Sequence, residues 1–165
     1  MTGNPGIRDP ADTDLRFERA RGDRLDAMRT IAVHTVDRDF RTFAEDGTVD
    51  WYLSGPLDEF LAESVGDTTL AMVGDRVVGF AVCKGNRIDL ILVDRDAQGH
   101  GIGSALLAHC EADLFRRHET LRLESFEGNG KANGFYRKNG WVRVDAVPDA
   151  MGGARRWVLE KRRDR

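Results

Sequence analysis

A cluster of glycines is the feature that most constrains the fold of this 165-residue chain. The stretch 96–109, DAQGHGIGSALLAH, has three glycines within five positions and leads into a helical pattern over 102–118. Glycine weakens regular elements, so such a cluster needs a reason, such as a tight turn or the close approach of a ligand. The run before it, 87–94, is rich in β-forming residues. The sequence therefore predicts a strand, a bare-backbone turn and a helix in direct succession.

The start of this predicted helix is suited to binding an anion. Its first amide groups have no partner within the helix, and the helix dipole is positive at that end. Pyrophosphate is the anion most often bound in this way. Gly99, Gly101 and Gly103 place no Cβ atom between an anion and the backbone, and Ser104 adds a hydroxyl.

Three other roles for the glycine cluster fit the sequence less well. A nucleoside triphosphate would need the spacing G-x-x-x-x-G-K-[ST], which this loop does not have. A dinucleotide is a closer fit, because Gly99, Gly101 and Ser104 nearly match G-x-G-x-x-G/A and Glu124 follows at the distance of a ribose-binding acid. That fold begins with its glycine fingerprint, whereas here three β-rich runs precede it. A tight connection without a ligand is the third alternative, although one or two glycines would suffice for it.

The middle of the chain predicts an antiparallel meander. The three β-rich runs are 68–73, 76–83 and 87–94, and they are separated by the turn pairs Gly74-Asp75 and Gly85-Asn86. The run 38–56 is aromatic and turn-rich, which predicts irregular or only weakly helical structure. The remaining predicted elements are a strand over 15–20, a helix after an N-cap at Asp23, a helix over 56–65, a strand over 121–126, a helix over 129–140 ended by Gly140, and strands over 141–147 and 155–161.

Composition predicts one globular α/β domain over residues 15–165, after a flexible polar tail over residues 1–14. A net charge of −3 argues against a nucleic-acid partner. The two cysteines, Cys83 and Cys110, are too few for a disulfide framework and are expected to be small buried side chains. The start of the chain lacks the apolar core of a signal peptide, and no run is long enough to span a bilayer, so we expect a cytoplasmic protein without a membrane partner.

Two motifs resemble those of the GNAT N-acetyltransferases. The stretch Q-G-H-G-I-G resembles the signature Q/R-x-x-G-x-G/A, with Gln98, Gly101 and Gly103 in the signature positions. The stretch N-G-K-A-N-G-F-Y-R-K-N-G-W resembles N-x-x-A-x-x-[FL]-Y-x-x-x-G-[FW]. This second match consists of Asn129, Ala132, Phe135, Tyr136, Gly140 and Trp141.

The resemblance covers about residues 15 to 161 and implies the GNAT fold. This is an α/β (α+β) fold with a central, twisted, mixed but mostly antiparallel sheet of about seven strands, flanked by about four helices. The implied cosubstrate is acetyl-CoA, with its pyrophosphate on the glycine loop and its pantetheine arm along the backbone of Leu92 and Val93. The cofactor-binding residues implied in the loop are Gln98, Gly99, His100, Gly101, Ile102, Gly103 and Ser104.

The resemblance also assigns roles in the second motif. Asn129 matches an asparagine that contacts the cofactor, and Tyr136 matches a tyrosine that binds it and acts as general acid to the CoA sulfur. A phenol is protonated at neutral pH, as this role requires. Asn133, one helical turn after Asn129, is expected to face solvent.

The general base is left open by the sequence. Asp89 on the fourth strand and Glu124 on the fifth are the candidate catalytic carboxylates, and water is the alternative. By strand alternation Asp89 shares a face with Ile91, and Glu124 faces away from Leu123. Each carboxylate could equally be a solvated or salt-bridged surface group.

Other features bear on the reaction class. No H-E-x-x-H or paired C-x-x-C motif is present, so no metal is predicted. Nothing marks a covalent nucleophile, which favours direct transfer in a ternary complex. A domain that senses acyl-CoA without turnover is the alternative.

The acceptor is expected to be an unidentified amine, from a small molecule or a protein, that binds near residues 37–60. There Trp51 and Tyr52 could contact a cation or anchor the core. Several acids hint at a cationic substrate, although such runs are usually solvated: Asp37, Asp39, Glu45, Asp46 and Asp50. A homodimer is a further expectation, from the family alone.

Overall fold

A computed structural model describes residues 14–149 and 154–165 of the chain. The predicted tail therefore lies outside the described residues, apart from Asp14. Within these ranges, the chain forms seven strands and five helices. They are β1 (Leu15–Arg19), α1 (Leu25–Asp39), α2 (Asp46–Leu53), α3 (Pro56–Glu63), β2 (Thr68–Val73), β3 (Arg76–Lys84), β4 (Arg87–Val93), α4 (Ile102–Leu114), β5 (Thr120–Phe126), α5 (Gly130–Lys138), β6 (Val142–Pro148) and β7 (Arg155–Arg162).

The strands form one sheet in the order β1-β2-β3-β4-β5-β7-β6. Every neighbouring pair is antiparallel except β4 and β5, which are parallel. This confirms the predicted mixed, mostly antiparallel sheet of about seven strands. It also removes the support for the dinucleotide alternative, which requires successive parallel units.

Glycine turns set the register of the meander. Gly74 has φ +59° and Gly85 has φ +60°, a conformation that glycine adopts without a steric penalty. The strands close directly on these turns, with Val73 opposite Arg76 and Lys84 opposite Arg87. The two predicted hairpins are confirmed.

Helices cover both faces of the sheet. On one face, α1 and α3 bury Met28 and Leu61 against Leu70 and Phe80 in the largest apolar cluster. On the other face, α4 packs on smaller residues such as Ala71 and Ala81, which allow the helix to approach the strands closely. In the described part of the chain, every helix is too short or too polar to cross a membrane.

Two local predictions about the first half of the chain are wrong. Asp23 lies within a 3-10 turn over Gly22–Arg24, and the N-terminus of α1 has no side-chain cap. The aromatic run 38–56 contains α2 rather than irregular structure. A local ion network joins this helix to the end of α1, because Arg41 donates hydrogen bonds to Asp37, Asp46 and Asp50.

The two parallel strands separate soon after they meet. Their pairing is limited to Arg87 with Arg122 and Ile88 with Leu123. Beyond these pairs, the backbone of β4 borders an open cleft rather than β5. A cleft between diverging strands is a place where a ligand can form hydrogen bonds with the exposed strand edge.

A β-bulge lies at the point of separation. Val82 pairs with Leu90 but Cys83 pairs with Ile88, so Asp89 is an extra residue on β4. As a result Ile88 and Ile91, three positions apart, contact the same apolar cluster. The predicted alternation that placed Asp89 on the face of Ile91 is wrong for this reason.

Candidate functional site

The cleft between β4 and β5 has two connected chambers. The outer chamber lies between β4, α4 and α5 and has a volume of about 660 Å³. The inner chamber lies between α2, β4, β5 and β7 and has a volume of about 270 Å³. The two chambers share five lining residues: Phe40, Ile91, Leu92, Asn129 and Tyr136.

The glycine loop forms one end of the outer chamber. Gly99 has φ +81°, and Gly101, the residue before α4, has φ +74°, so both occupy the left-handed region. Gly103 has a different role, because a Cβ atom there would contact Val93 and Phe135 at 3.5–3.6 Å. Two of the three glycines are therefore required by the turn, and the third sits where α4 packs against β4 and α5.

The first turn of α4 presents its amide groups to the same chamber. The first hydrogen bond that closes the helix runs from the Ala105 amide to the Gly101 carbonyl at 3.0 Å. The amides of Ile102, Gly103 and Ser104 precede it, so the helix itself provides no acceptor for them. All three residues line the outer chamber, which makes it suited to an anionic ligand.

Gln98 connects the glycine loop to both walls of the outer chamber. Its Nε2 donates to the Val93 carbonyl at 3.0 Å, and its Oε1 accepts a hydrogen bond from Lys131 Nζ at 2.9 Å. Lys138 also lines this chamber, as does one acid, Asp39. The charged side chains of the outer chamber are thus mainly cationic.

Tyr136 lies where the two chambers meet. Burial raises the pKa of its phenol above the ordinary value, so the group stays protonated through the neutral range. Its ring contacts Phe135 at 5.4 Å and Trp141 at 6.3 Å between centroids. These contacts hold the ring of Tyr136 where the two chambers meet.

A buried charge network holds the segment after α5. Trp141 Nε1 donates to Glu111 Oε1 at 2.8 Å, and Lys161 Nζ donates to Glu111 Oε2 at 2.6 Å and to the Asn139 carbonyl at 2.8 Å. The Trp141 amide in turn donates to the Tyr136 carbonyl at 3.0 Å. The sequence analysis did not single out Glu111. The feature that could have identified it is a carboxylate directly after Cys110, on the apolar face of the predicted helix.

Two of the three asparagines in the second-motif stretch, Asn129 and Asn133, have structural roles. Asn129 caps α5, since its Oδ1 accepts a hydrogen bond from the Ala132 amide at 3.2 Å, and it also lines both chambers. Asn133 is buried, and its Nδ2 donates to the carbonyls of Phe126 and Glu127. The expectation that Asn133 faces solvent is wrong, because its side chain is needed to join α5 to the end of β5.

The candidate bases Asp89 and Glu124 both line the inner chamber. Asp89 is nearly buried, with 13% of its side chain exposed, and both of its oxygens accept hydrogen bonds from Arg87. This interaction raises the pKa of the Arg87 guanidinium. Glu124 has 44% of its side chain exposed, and its nearest cation is Arg156 at 3.6 Å. Glu124 is therefore the carboxylate that is more available to a ligand.

Arg156 connects three groups of the inner chamber. Its Nε donates to Asp149 at 3.1 Å, its guanidinium lies 4.6 Å from the centre of the Phe126 ring, and Glu124 is its second, weaker ionic partner. The connection between the last two strands includes residues 150–153, which lie outside the described residues.

Aromatic side chains form the other wall of the inner chamber. They are Phe40, Trp51, Tyr52 and Phe126. Trp51 has 49% of its surface exposed, whereas burial raises the pKa of the Tyr52 phenol despite the nearby Arg156. The indole thus offers an open face and Tyr52 a neutral, largely buried ring.

The structure does not bring every candidate residue into the cleft. Of the cofactor-binding candidates, His100 lines neither chamber. The other ten line the outer chamber: Leu92, Val93, Gln98, Gly99, Gly101, Ile102, Gly103, Ser104, Asn129 and Tyr136. The acids Asp37, Asp46 and Asp50 surround Arg41 and do not line the inner chamber.

The cysteines lie apart from the cleft. Cys110 is 3% exposed, which confirms the expectation for this residue, and Cys83 is partly buried beside it. Both line a separate cavity of about 200 Å³ between β1 and α4. Neither thiol reaches the two chambers.

Comparison with known proteins gives a consistent result. Residues 65–143 match the family model described as acetyltransferase (GNAT) domain. The chain is also similar to a blasticidin-S acetyltransferase from Streptomyces morookaense, with 27% identity over 106 residues, which are 64% of this chain and 76% of that protein.

Solved structures share the fold. The PaiA N-acetyltransferase of Thermoplasma acidophilum, solved in complex with coenzyme A, has a TM-score of 0.76 and 15% identity, covering 91% of this chain and 99% of that chain. A GCN5-related N-acetyltransferase from Rhodopseudomonas palustris has a TM-score of 0.74 and 20% identity, covering 97% and 99%. At these identities the likeness establishes the fold.

Proposed function

We propose that this chain is an N-acetyltransferase of the GNAT superfamily, which moves the acetyl group of acetyl-CoA to a primary amine. The observation that carries the proposal is the two-chambered cleft with Tyr136 at its junction. One chamber suits an anionic donor and the other a cationic acceptor, and a protonated phenol lies between them. The proposed place of action is the cytoplasm.

The outer chamber holds acetyl-CoA in this proposal. The amides at the start of α4 bind the pyrophosphate, and Lys131 adds positive charge on the opposite wall. The pantetheine arm lies along the edge of β4 at Leu92 and Val93, where pairing with β5 has ended. The coenzyme A in the Thermoplasma acidophilum structure supports the use of an acyl-CoA here.

The acceptor amine enters through the inner chamber and must lose a proton before it attacks. Glu124 is the better of the two candidate bases, because both oxygens of Asp89 already accept hydrogen bonds from Arg87. Glu124 binds the ammonium group and accepts its proton, directly or through water. A backbone amide on the free edge of β4 can donate a hydrogen bond to the oxyanion that forms on the carbonyl.

Tyr136 completes the transfer. When the carbon–sulfur bond of the thioester breaks, the phenol donates its proton to the departing sulfur, so that a neutral thiol leaves. The second proton that the attacking nitrogen loses returns to the phenolate and restores the phenol. The raised pKa keeps this proton in place until the thiolate develops. No covalent enzyme intermediate is required, and both substrates are bound at the time of transfer.

The test is acetyl transfer by the full chain in a library of primary amines. The library includes blasticidin S, because one relative is named for its acetylation. We expect an acetylated product by mass spectrometry and stoichiometric release of free CoA. Binding of acetyl-CoA without any product would instead support the sensing alternative, and failure to bind acetyl-CoA would overturn the proposal.

A further inference from the structure

The two chambers differ in charge. Charged residues lining the outer chamber are two lysines and one acid, whereas those lining the inner chamber are one guanidinium, Arg156, and three carboxylates: Asp89, Glu124 and Asp149. Arg87 pairs with Asp89 from outside the lining. With Arg87 counted, the described residues still leave the inner chamber with an excess of negative charge. A cation is therefore favoured there over an anion.

Glu124 is the carboxylate that a bound cation would meet. Asp149 has 6% of its side chain exposed and accepts a hydrogen bond from Arg156, and Asp89 is nearly buried beside its own arginine. Glu124 is the most exposed of the three, and its 3.6 Å contact with Arg156 is an ion pair without a hydrogen bond. An ammonium group can satisfy this carboxylate without breaking another interaction.

The opposite wall of the inner chamber is aromatic. Phe40 and Phe126 meet edge to face at 5.9 Å between ring centroids and close the base of the wall. Trp51, half exposed on α2, lines the chamber beside Tyr52. Aromatic faces of this kind stack on flat rings and attract cations.

The size of the chamber limits the ligand. A volume of about 270 Å³ is slightly below the usual range for sites that hold drug-sized molecules. One ring with a short arm fills such a space, and the arm must reach from the aromatic wall to Glu124.

We propose that the acceptor is a compact aralkyl amine, which carries a primary amine on a short arm from a flat ring and has no carboxylate. This inference rests on the proposed function and adds the substrate class. The ring binds against Trp51 and Tyr52, and the ammonium group binds at Glu124 before it loses its proton. A carboxylate next to the amine would lie beside the acids of the inner chamber and would be repelled.

Four acceptors test the inference with the full chain and saturating acetyl-CoA. They are 2-phenylethylamine, its saturated counterpart 2-cyclohexylethylamine, phenylalaninamide and phenylalanine. Each kcat/KM is expressed per concentration of uncharged amine, which removes differences in amine basicity. We expect phenylalaninamide to exceed phenylalanine by about tenfold or more, since like charges in an interface are strongly unfavourable. We expect 2-phenylethylamine to exceed the cyclohexyl compound by several-fold.

Two variants assign these preferences to residues. Trp51→Leu should reduce the ratio of phenyl to cyclohexyl acceptor, and Glu124→Gln should reduce the ratio of phenylalaninamide to phenylalanine, whatever its effect on absolute rate. Glu63→Gln, an exposed acid on α3, is the matched control and should change neither ratio. Acetyl-CoA affinity, measured by calorimetry, should stay the same in the Trp51 variant.

The outcomes separate the two proposals. Acetylation of phenylalanine as fast as phenylalaninamide, or of the cyclohexyl compound as fast as the phenyl compound, would overturn the substrate class while acetyl transfer stands. Failure of all four acceptors, with acetyl-CoA still bound, would also overturn the class. Loss of acetyl-CoA binding itself would instead overturn the proposed function.

Discussion

Tyr136, the proposed proton donor, borders both chambers of the cleft. Burial raises the pKa of its phenol. The motif predicts this residue, but its environment depends on Trp141 and Phe135, which pack around the ring. The proposed role makes two predictions at the level of this residue.

Replacing Tyr136 with phenylalanine removes the proton donor and keeps the ring. We expect kcat to fall by about 100-fold, the lower end of typical general-acid contributions, because the thiolate must then leave unprotonated. The dissociation constant of acetyl-CoA should remain within about twofold. Steady-state kinetics and calorimetry measure the two quantities, and an unchanged kcat would remove the assignment.

The pH profile tests the same group without a mutation. The donor must be protonated, and burial raises its pKa, so the alkaline loss of kcat due to Tyr136 should lie above pH 10, the ordinary value of a phenol. Measurement of kcat between pH 7 and 10 with both substrates saturating should show no decline from this group. A decline centred near pH 8 or 9 that disappears in Tyr136→Phe would show that the phenol is more acidic than its burial implies.

At the level of single elements, α4 and its glycine loop are the proposed binding site of the acetyl donor. Gly101 precedes the helix with φ +74°. Gly134 lies within α5 and has no positive φ, and a Cβ atom there would meet no packed neighbour within 4 Å. The two glycines therefore form a matched pair for the same substitution.

Gly101→Ala should impose a left-handed conformation on a residue with a Cβ atom, at a cost of about 1–2 kcal/mol in the free energy of unfolding. We expect the dissociation constant of acetyl-CoA to rise by about tenfold, because relaxation of the strain moves the first amides of α4. Urea denaturation and calorimetry measure these effects. Wild-type affinity in this variant would contradict a role of the loop in binding.

Gly134→Ala should act in the opposite direction on stability. Alanine favours a helix over glycine by about 0.5–1 kcal/mol, and the position has room for a methyl group. Acetyl-CoA affinity should not change. A loss of stability in urea denaturation would show that the helix needs glycine here for a close approach.

The elements that the sequence predicts well are those with local signals. The hairpins have glycines at positive φ in their turns, and the β4–loop–α4 unit follows from the glycine cluster and the helical spacing after it. Helix α2 was missed because Gly47, Thr48 and the aromatic residues have low helix propensity. Its stability comes instead from tertiary contacts, such as buried Val49 and the ion pairs of Arg41 with Asp46 and Asp50.

The sequence likewise predicts only some of the residues that line the cleft. Motif spacing identifies the loop and Tyr136, because those residues follow one another in the chain. The bulge at Asp89 and the pairing of Arg87 with that acid depend on register with β3, which alternation alone does not reveal. The aromatic wall opposite Glu124 likewise requires α2 to pack over the end of β4.

At the scale of the whole molecule, one buried network joins elements that are distant in sequence. Glu111 on α4 is nearly buried, Lys161 on β7 lies 50 residues further along the chain and is partly buried, and Trp141 completes the set. Nothing local in the sequence predicts this pairing. It ties the helix that begins at the glycine loop to the segment that follows Tyr136.

A double-mutant cycle with Glu111→Gln and Lys161→Met measures this coupling. Removing one partner of a buried pair typically costs about 3–5 kcal/mol, and we expect about 2 kcal/mol for each single variant because Lys161 is partly exposed. The double variant should lose less than the sum of the two. Strict additivity in urea denaturation would show that the two charges do not stabilise each other.

The most direct test of donor binding in the cleft is a crystal structure of the full chain bound to coenzyme A. We expect diphosphate oxygens within about 2.7–3.2 Å of amide nitrogens at the start of α4, and the thiol of the pantetheine arm at Tyr136. Coenzyme A bound away from the glycine loop, or a thiol that points out of the junction of the two chambers, would contradict the proposed site.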